Sequence, residues 1–236
     1  MISPTGALKH VHIDGDLAVA RAAEQMDTVM IVATNANYTI EEISDATMSP
    51  LWFQLYHRGK ALTEMLVRRA EAAGFRAIVL TIDTPVPSPK ERDLKNRFER
   101  RLELGNFRDL GLAESEISGT DETPGWDVSR ADPITWNDVE WLRSLTSLPL
   151  VLKGIRVGED AKLAVEHGCE GVLVSTHGGR QLDQTLSSIE TVPEVVEAVN
   201  GNCEVYLDSG VRRGSDVLKA LAMGVKAVGI GRPLFW

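Results

Sequence analysis

The chain is predicted to be an α/β protein, a (β/α)8 or TIM barrel, and three observations carry that prediction. Short runs rich in Val, Ile and Leu recur near 28–33, 51–56, 76–82, 149–153, 170–175, 203–208 and 226–231. Amphipathic segments lie between them, and a polar, chemically useful residue follows almost every run. Strands alternating with helices imply parallel βαβ units with both sheet faces covered. Barrel sites are built at the C-terminal ends of such strands. A chain of 236 residues suits one domain of this kind, spanning 1–236.

Met1-Ile2-Ser3-Pro4-Thr5 reads as the end of one further strand, which brings the number to eight. Segment 61–73 spaces Leu62, Met65, Leu66 and Ala70 by three and four, the period of a helix with one buried face, and 157–167 does the same. The absence of a Gly-x-Gly-x-x-Gly turn weakens the alternative of an open dinucleotide-binding sheet. One connection is long: from 84 to about 133 the chain is polar and rich in Gly, Pro and Ser. It carries the basic patch Lys95-Asn96-Arg97-Phe98-Glu99-Arg100-Arg101 and the acidic Glu114-Ser115-Glu116. Because it follows a strand's C-terminal end, it is expected to act as a lid.

The net charge of −9, from 25 Lys and Arg against 34 Asp and Glu, argues against a general nucleic-acid or membrane-surface binder. A locally basic pocket for an anion remains compatible with it. Cys169 and Cys203 stand apart without metal-type spacing; both are expected to pack in the core, and no metal is expected. Two cysteines give no disulfide framework, and no membrane span or leader is evident. The expected location is soluble and intracellular, in cytoplasm or an organelle.

The densest local signal is Ser175-Thr176-His177-Gly178-Gly179-Arg180-Gln181, directly after the apolar run Gly171-Val172-Leu173-Val174. It puts an imidazole three residues before a guanidinium, with glycines that permit close ligand approach. Alone, this is as readily an ordinary exposed loop. The other strand ends change that balance: Thr5, Thr34, Gln54 with Tyr56, Thr81 with Asp83, Lys153, Asp208 and Arg232. Any one of these suits a cap or turn, but a polar residue at almost every strand end calls for a shared site.

In this order, these residues resemble the FMN-dependent α-hydroxy-acid oxidases and dehydrogenases, the group of glycolate oxidase, L-lactate oxidase and dehydrogenase, and mandelate dehydrogenase. The matching segments are Ile2-Ser3-Pro4-Thr5-Gly6, Phe53-Gln54-Leu55-Tyr56, Leu80-Thr81-Ile82-Asp83-Thr84-Pro85, Leu152-Lys153-Gly154, the His177 segment, Leu207-Asp208-Ser209-Gly210-Val211-Arg212-Arg213-Gly214, and Ile230-Gly231-Arg232-Pro233. The resemblance implies an FMN enzyme that oxidises a small L-2-hydroxy acid to a 2-oxo acid and passes electrons to dioxygen or another acceptor. By analogy it also implies a homo-oligomer.

It further implies roles. His177 would be the base, Asp83 would stabilise its imidazolium, and Arg180 would clamp the substrate carboxylate by two parallel hydrogen bonds. Tyr56 would hydrogen-bond substrate and Lys153 would place positive charge beside the flavin. Gln54, Thr81 and Ser175 would meet the isoalloxazine edges, with Pro4, Thr5 and Gly6 near it. Asp208, Ser209, Gly210, Arg212, Gly231 and Arg232 would form the rest of the cofactor cradle. The last two strand-end loops are where barrels commonly hold phosphate, and an arginine at a helix start is disfavoured unless an anion is bound.

Several positions depart from the family pattern. Lys90 stands where an arginine that helps bind substrate is usual, which loses the planar fork. Ala33 replaces a flavin-contacting serine, Ser209 a glycine and Thr176 an asparagine. A family tyrosine before the first strand has no counterpart, and the chain stops at Leu234-Phe235-Trp236 just after the last strand. The expectation is a barrel lacking the usual N-terminal segment and the final covering helix, with apolar surface exposed at the seam. The alternative to catalysis is a truncated member that binds FMN or acid weakly without turnover. Other FMN barrels, such as a type 2 isopentenyl diphosphate isomerase or an inosinate dehydrogenase relative, do not need the His177, Arg180 and Asp83 set.

Overall fold

The computed structural model describes residues 1–85, 88, 90–98, 103–108, 110 and 134–235. Seven parallel strands run in chain order: β1 (Met30–Ala33), β2 (Leu51–Leu55), β3 (Ala77–Thr81), β4 (Leu150–Ile155), β5 (Gly171–Val174), β6 (Glu204–Leu207) and β7 (Ala227–Val228). Each pairs with the next, so the strand order has no crossover. Ile2 closes the ring. It bridges in parallel to Met30 on one side and Ile230 on the other, and the Met1 ammonium donates to the Val228 carbonyl at 3.0 Å. The opening segment thus occupies the eighth strand position, though only as single-residue bridges. The run 226–231 is likewise shorter in strand form than expected, with Ile230 pairing beyond the end of β7.

Eight helices are described: α1 (Gly15–Gln25), α2 (Ile40–Asp45), α3 (Lys60–Ala72), α4 (Glu91–Asn96), α5 (Trp136–Leu145), α6 (Gly158–Glu166), α7 (Ser188–Val199) and α8 (Gly214–Ala222). The helices expected over 61–73 and 157–167 are α3 and α6, displaced by a residue at their ends. Local chemistry fixes several starts. Thr39 and Glu42 exchange hydrogen bonds at the head of α2, the Thr39 hydroxyl accepting the Glu42 amide at 3.1 Å. The Asp216 carboxylate accepts the amides of Arg212 and Arg213, both at 3.0 Å, ahead of α8. Such caps satisfy amides that a helix leaves unpaired. No helix among the described residues is long and apolar enough to cross a membrane.

The strand period of two sorts the core into two layers. Outward-facing Val32, Phe53, Leu55, Ile78, Leu80, Leu150, Leu152, Val172, Val174 and Leu207 pack under the helices. Inward-facing Ile31, Val79, Val151, Leu173 and Tyr206 plug the barrel, with Met1, Trp52 and Ala227 against them. Trp52 and Tyr206 meet edge to face with centroids 5.3 Å apart. The barrel is therefore filled, not open, as the architecture requires. Cys169 is buried as expected, whereas Cys203 is half-buried just before β6; burial pushes the Cys169 thiol up to about 12 and Cys203 to about 11. On the outer surface Leu218 and Leu221 of α8, and Leu234, are exposed. Of the long connection, the acidic Glu114-Ser115-Glu116 stretch and the end of the basic patch lie outside the described residues.

Candidate active site

Two residues on from each plug residue, the same face of each strand meets the C-terminal mouth of the barrel. The residues there are Ser3, Ala33, Gln54, Thr81, Lys153, Ser175, Asp208 and Gly229. All eight are buried, and six carry polar side chains. A buried polar layer above an apolar plug is stable only if its groups satisfy one another. Here they largely do. The Gln54 amide donates to Thr81 Oγ1 at 2.9 Å, while its oxygen accepts the Thr34 amide at 3.1 Å. Lys153 Nζ donates to Ser175 Oγ at 3.0 Å and stands 3.9 Å from both Asp83 Oδ2 and Asp208 Oδ2. Ser3 Oγ donates to Asp208 Oδ2 at 3.2 Å.

Tyr56, Asp83 and His177 lie two residues further on from Gln54, Thr81 and Ser175, and the structure brings them together. Asp83 Oδ1 is 2.7 Å from His177 Nδ1, and Tyr56 Oη is 3.4 Å from His177 Nε2. A carboxylate that close to Nδ1 fixes the tautomer: Nδ1 carries the proton and donates it to Asp83, leaving Nε2 as acceptor. His177 sits in a left-handed backbone conformation, φ 54°, which is uncommon away from glycine and marks functional or strained positions.

Gly154 makes room for this pair. Its φ is +113°, and a Cβ there would lie 2.6 Å from the Asp83 Cβ and 2.9 Å from its Cγ. Gly154→Ala is expected to destabilise the fold by at least about 1–3 kcal/mol from backbone strain alone. It should also displace Asp83 from His177. Chemical denaturation of the purified variant measures the first effect, and an unchanged midpoint would contradict this account.

Not every expected residue joins the network. Arg180 is exposed on the turn after His177 and outside the hydrogen-bonded set. Lys90 Nζ donates to the Ser88 carbonyl at 3.3 Å. Arg212 is exposed, and Arg232 donates to the Gly178 carbonyl. Pro4, Thr5, Gly6 and Gly231 are half-buried at the mouth, and Gly210, with φ 77°, is exposed there. The Ser209 hydroxyl accepts the amides of Thr176 and Gly178 and donates to Asp208 Oδ1.

Ser3 and Asn106 were not anticipated at the site, and Thr34, expected at its strand end, has a larger part than expected. Ser3 was recoverable, since it follows Met1 by two as Lys153 follows Val151. Thr34 is a hub: its hydroxyl donates to the Gln54 carbonyl at 2.6 Å and accepts the Tyr56 amide at 3.0 Å. Asn106, in the long connection, is 2 % exposed. Its side chain donates to the Thr34 carbonyl at 3.1 Å and accepts the Ile40 amide at 2.9 Å. No local pattern marks it, because its partners are about 70 positions away in sequence.

Fold and site together define a class: a (β/α)8 barrel with a polar, cation-centred ligand layer at its C-terminal mouth. A family model described as FMN-dependent dehydrogenase matches residues 1–236, and the chain belongs to that family. The 2-hydroxyacid oxidase 1 of Homo sapiens is 46% identical over 243 residues, an alignment covering 100% of this chain and 66% of that protein. The L-lactate oxidase of Nostoc sp. is 45% identical over 245 residues, covering 100% of this chain and 67% of its own. Among solved structures, a crystal structure of mandelate oxidase superposes with a TM-score of 0.88 at 42% identity, covering 100% of this chain and 65% of that one. A mandelate oxidase mutant solved with a C4a-OH-FMN adduct superposes with a TM-score of 0.85 at 40% identity. The chain thus spans about two thirds of the length of these relatives.

FMN is the cofactor of the family, and the layer fits it. Gln54, Thr81 and Ser175 offer donors and acceptors at one height, as a ring system with both along its edge requires. Lys153, 4 % exposed, brings a cation into the same layer. Asp83 Oδ2 is buried with no hydrogen-bond partner among the described residues.

Proposed function

We propose that this chain carries the catalytic core of an FMN-dependent oxidation of an L-2-hydroxy acid to the 2-oxo acid. The observation that supports this most is His177, whose Nδ1 is held by Asp83 at 2.7 Å while its Nε2 meets the Tyr56 hydroxyl at 3.4 Å, beside the layer centred on Lys153. A substrate α-hydroxyl held between those two groups would lose its proton to Nε2 and keep a hydrogen bond from Tyr56. Asp83, on the other ring nitrogen, stabilises the imidazolium so formed. Arg180, and Lys90 from the long connection, hold the substrate carboxylate; Arg180 alone can do so with two parallel bonds.

FMN, when bound, would supply a two-electron acceptor for the substrate, with dioxygen or another acceptor taking the electrons on. Gln54, Thr81, Ser175 and Lys153 would hold its ring, with Pro4, Thr5 and Gly6 alongside. Asp208, Gly210, Arg212, Gly231 and Arg232 would hold its chain and phosphate. The buried Lys153 keeps positive charge beside the ring in a setting of low dielectric, where it acts most strongly.

Purified protein loaded with FMN is expected to lose its flavin absorbance on anaerobic mixing with at least one of lactate, glycolate or mandelate. A chain that takes up no FMN would overturn the reading. A second reading, binding of FMN or acid without turnover, is favoured by Lys90 in place of a forked cation and by the exposure of Arg180. Retained flavin that none of the acids reduces would select it.

A further inference from the structure

We infer that Ser209 is the positioning residue of the His177 turn, joining the loop after β6 to both sides of the proposed base. Residues 176–179 leave β5 in a turn where His177, Gly178 and Gly179 all have positive φ, at 54°, 67° and 71°. Such a run makes no ladder or helix bonds, so its four N–H groups need other acceptors. The His177 amide donates to Ser175 Oγ at 3.0 Å, and the Gly179 amide to the Thr176 carbonyl at 2.9 Å. The remaining two, from Thr176 at 3.3 Å and Gly178 at 3.0 Å, both donate to Ser209 Oγ. The Ser209 hydroxyl proton then goes to Asp208 Oδ1 at 2.9 Å.

Ser209 itself has φ 75°, a conformation that costs a non-glycine residue about 1–2 kcal/mol. A glycine would avoid that strain but would leave two partly buried amides without their acceptor. Thr176 and Ser209, two of the departures from the family's usual residues, are joined by one of these bonds. The side chain therefore faces the turn, and its role is to keep His177 in its left-handed conformation against Asp83. This inference rests on His177 being the base, and its test separates the two ideas.

The experiment compares holo wild type with Ser209→Ala and Ser209→Gly, using lactate, glycolate or mandelate, whichever bleaches the wild type. Alanine removes the acceptor and keeps the strain; glycine removes both. Both variants are expected to retain FMN and to reduce it about 10- to 100-fold more slowly at saturating acid, the scale of a misplaced catalytic group. KM should change little. A second readout needs no turnover: the His177 Nδ1–H proton, held by Asp83 and assigned by its absence in His177→Ala, should broaden or vanish from the NMR spectrum of both variants. An unchanged Nδ1–H resonance overturns the inference. So does loss of FMN with that resonance intact, which would assign Ser209 to the cofactor cradle. If His177→Ala still reduces flavin, the base assignment falls while the resonance in the Ser209 variants still decides the clamp.

Discussion

Replacing His177 with alanine is expected to slow anaerobic reduction of bound FMN by about 10²–10⁴-fold, the usual contribution of a positioned general base. The imidazole's Nε2 is the acceptor left over once Nδ1 is committed to Asp83 at 2.7 Å. Alanine at a left-handed position adds backbone strain, so His177→Asn is the better companion, because asparagine tolerates that conformation. Both variants should keep FMN, since the proposed ring contacts come from Gln54, Thr81, Lys153 and Ser175. Stopped-flow absorbance at the flavin band gives the rate, and the bound FMN content gives the control. Reduction within about threefold of wild type in both would remove His177 from the mechanism.

Lys153→Met should have the largest effect on the fold itself. The ammonium is 4 % exposed, hydrogen-bonded to Ser175 and placed 3.9 Å from two carboxylates that are themselves largely buried. Removing the cation leaves the largely buried Asp83 and Asp208 carboxylates without its charge and with little solvent. Breaking one partner out of a buried ionic group costs about 3–5 kcal/mol. For a domain of this size that corresponds to a fall of roughly 6–20 °C in melting temperature. Thermal unfolding of the FMN-free protein isolates this effect from any loss of cofactor binding. A melting temperature within about 2 °C of wild type would mean that the two carboxylates are not held by Lys153.

The strands were legible because each is a short, doubly buried apolar run, and the polar residue that ends it breaks the run conspicuously. Val151–Leu152 leading into Lys153, and Leu173–Val174 into Ser175, are examples. Asp83, Lys153 and His177 could be gathered because barrel geometry sends successive strand ends to one mouth. What escaped was set by contacts distant in sequence. Asn106 is recognisable only once the long connection is known to return to the loop after β1. The direction of the Ser209 hydroxyl depends on the turn after β5, which no pattern near residue 209 encodes. The clamp role of Arg180 rests on the resemblance of the His177 segment to the family, not on contacts within the protein. Three successive positive-φ residues lie between the end of β5 and Arg180, and its side chain stands outside the network.

The closure at Ile2 bears on how the molecule reaches this state. The ammonium of Met1 meets Val228 across 227 positions, and Ser3 meets Asp208 across 205. Contacts of such separation carry the largest loop entropy, so they are expected to form after the local βα units have assembled. On that order Asp208 would gain Ser3 only once the ring is complete, so a hydrogen-exchange pulse during refolding should find the Ser3–Asp208 mouth among the last regions protected. A ligand that needs all eight strand ends has nothing to grip before then. It binds the finished ring alone, and its concentration sets how far folding is drawn to completion.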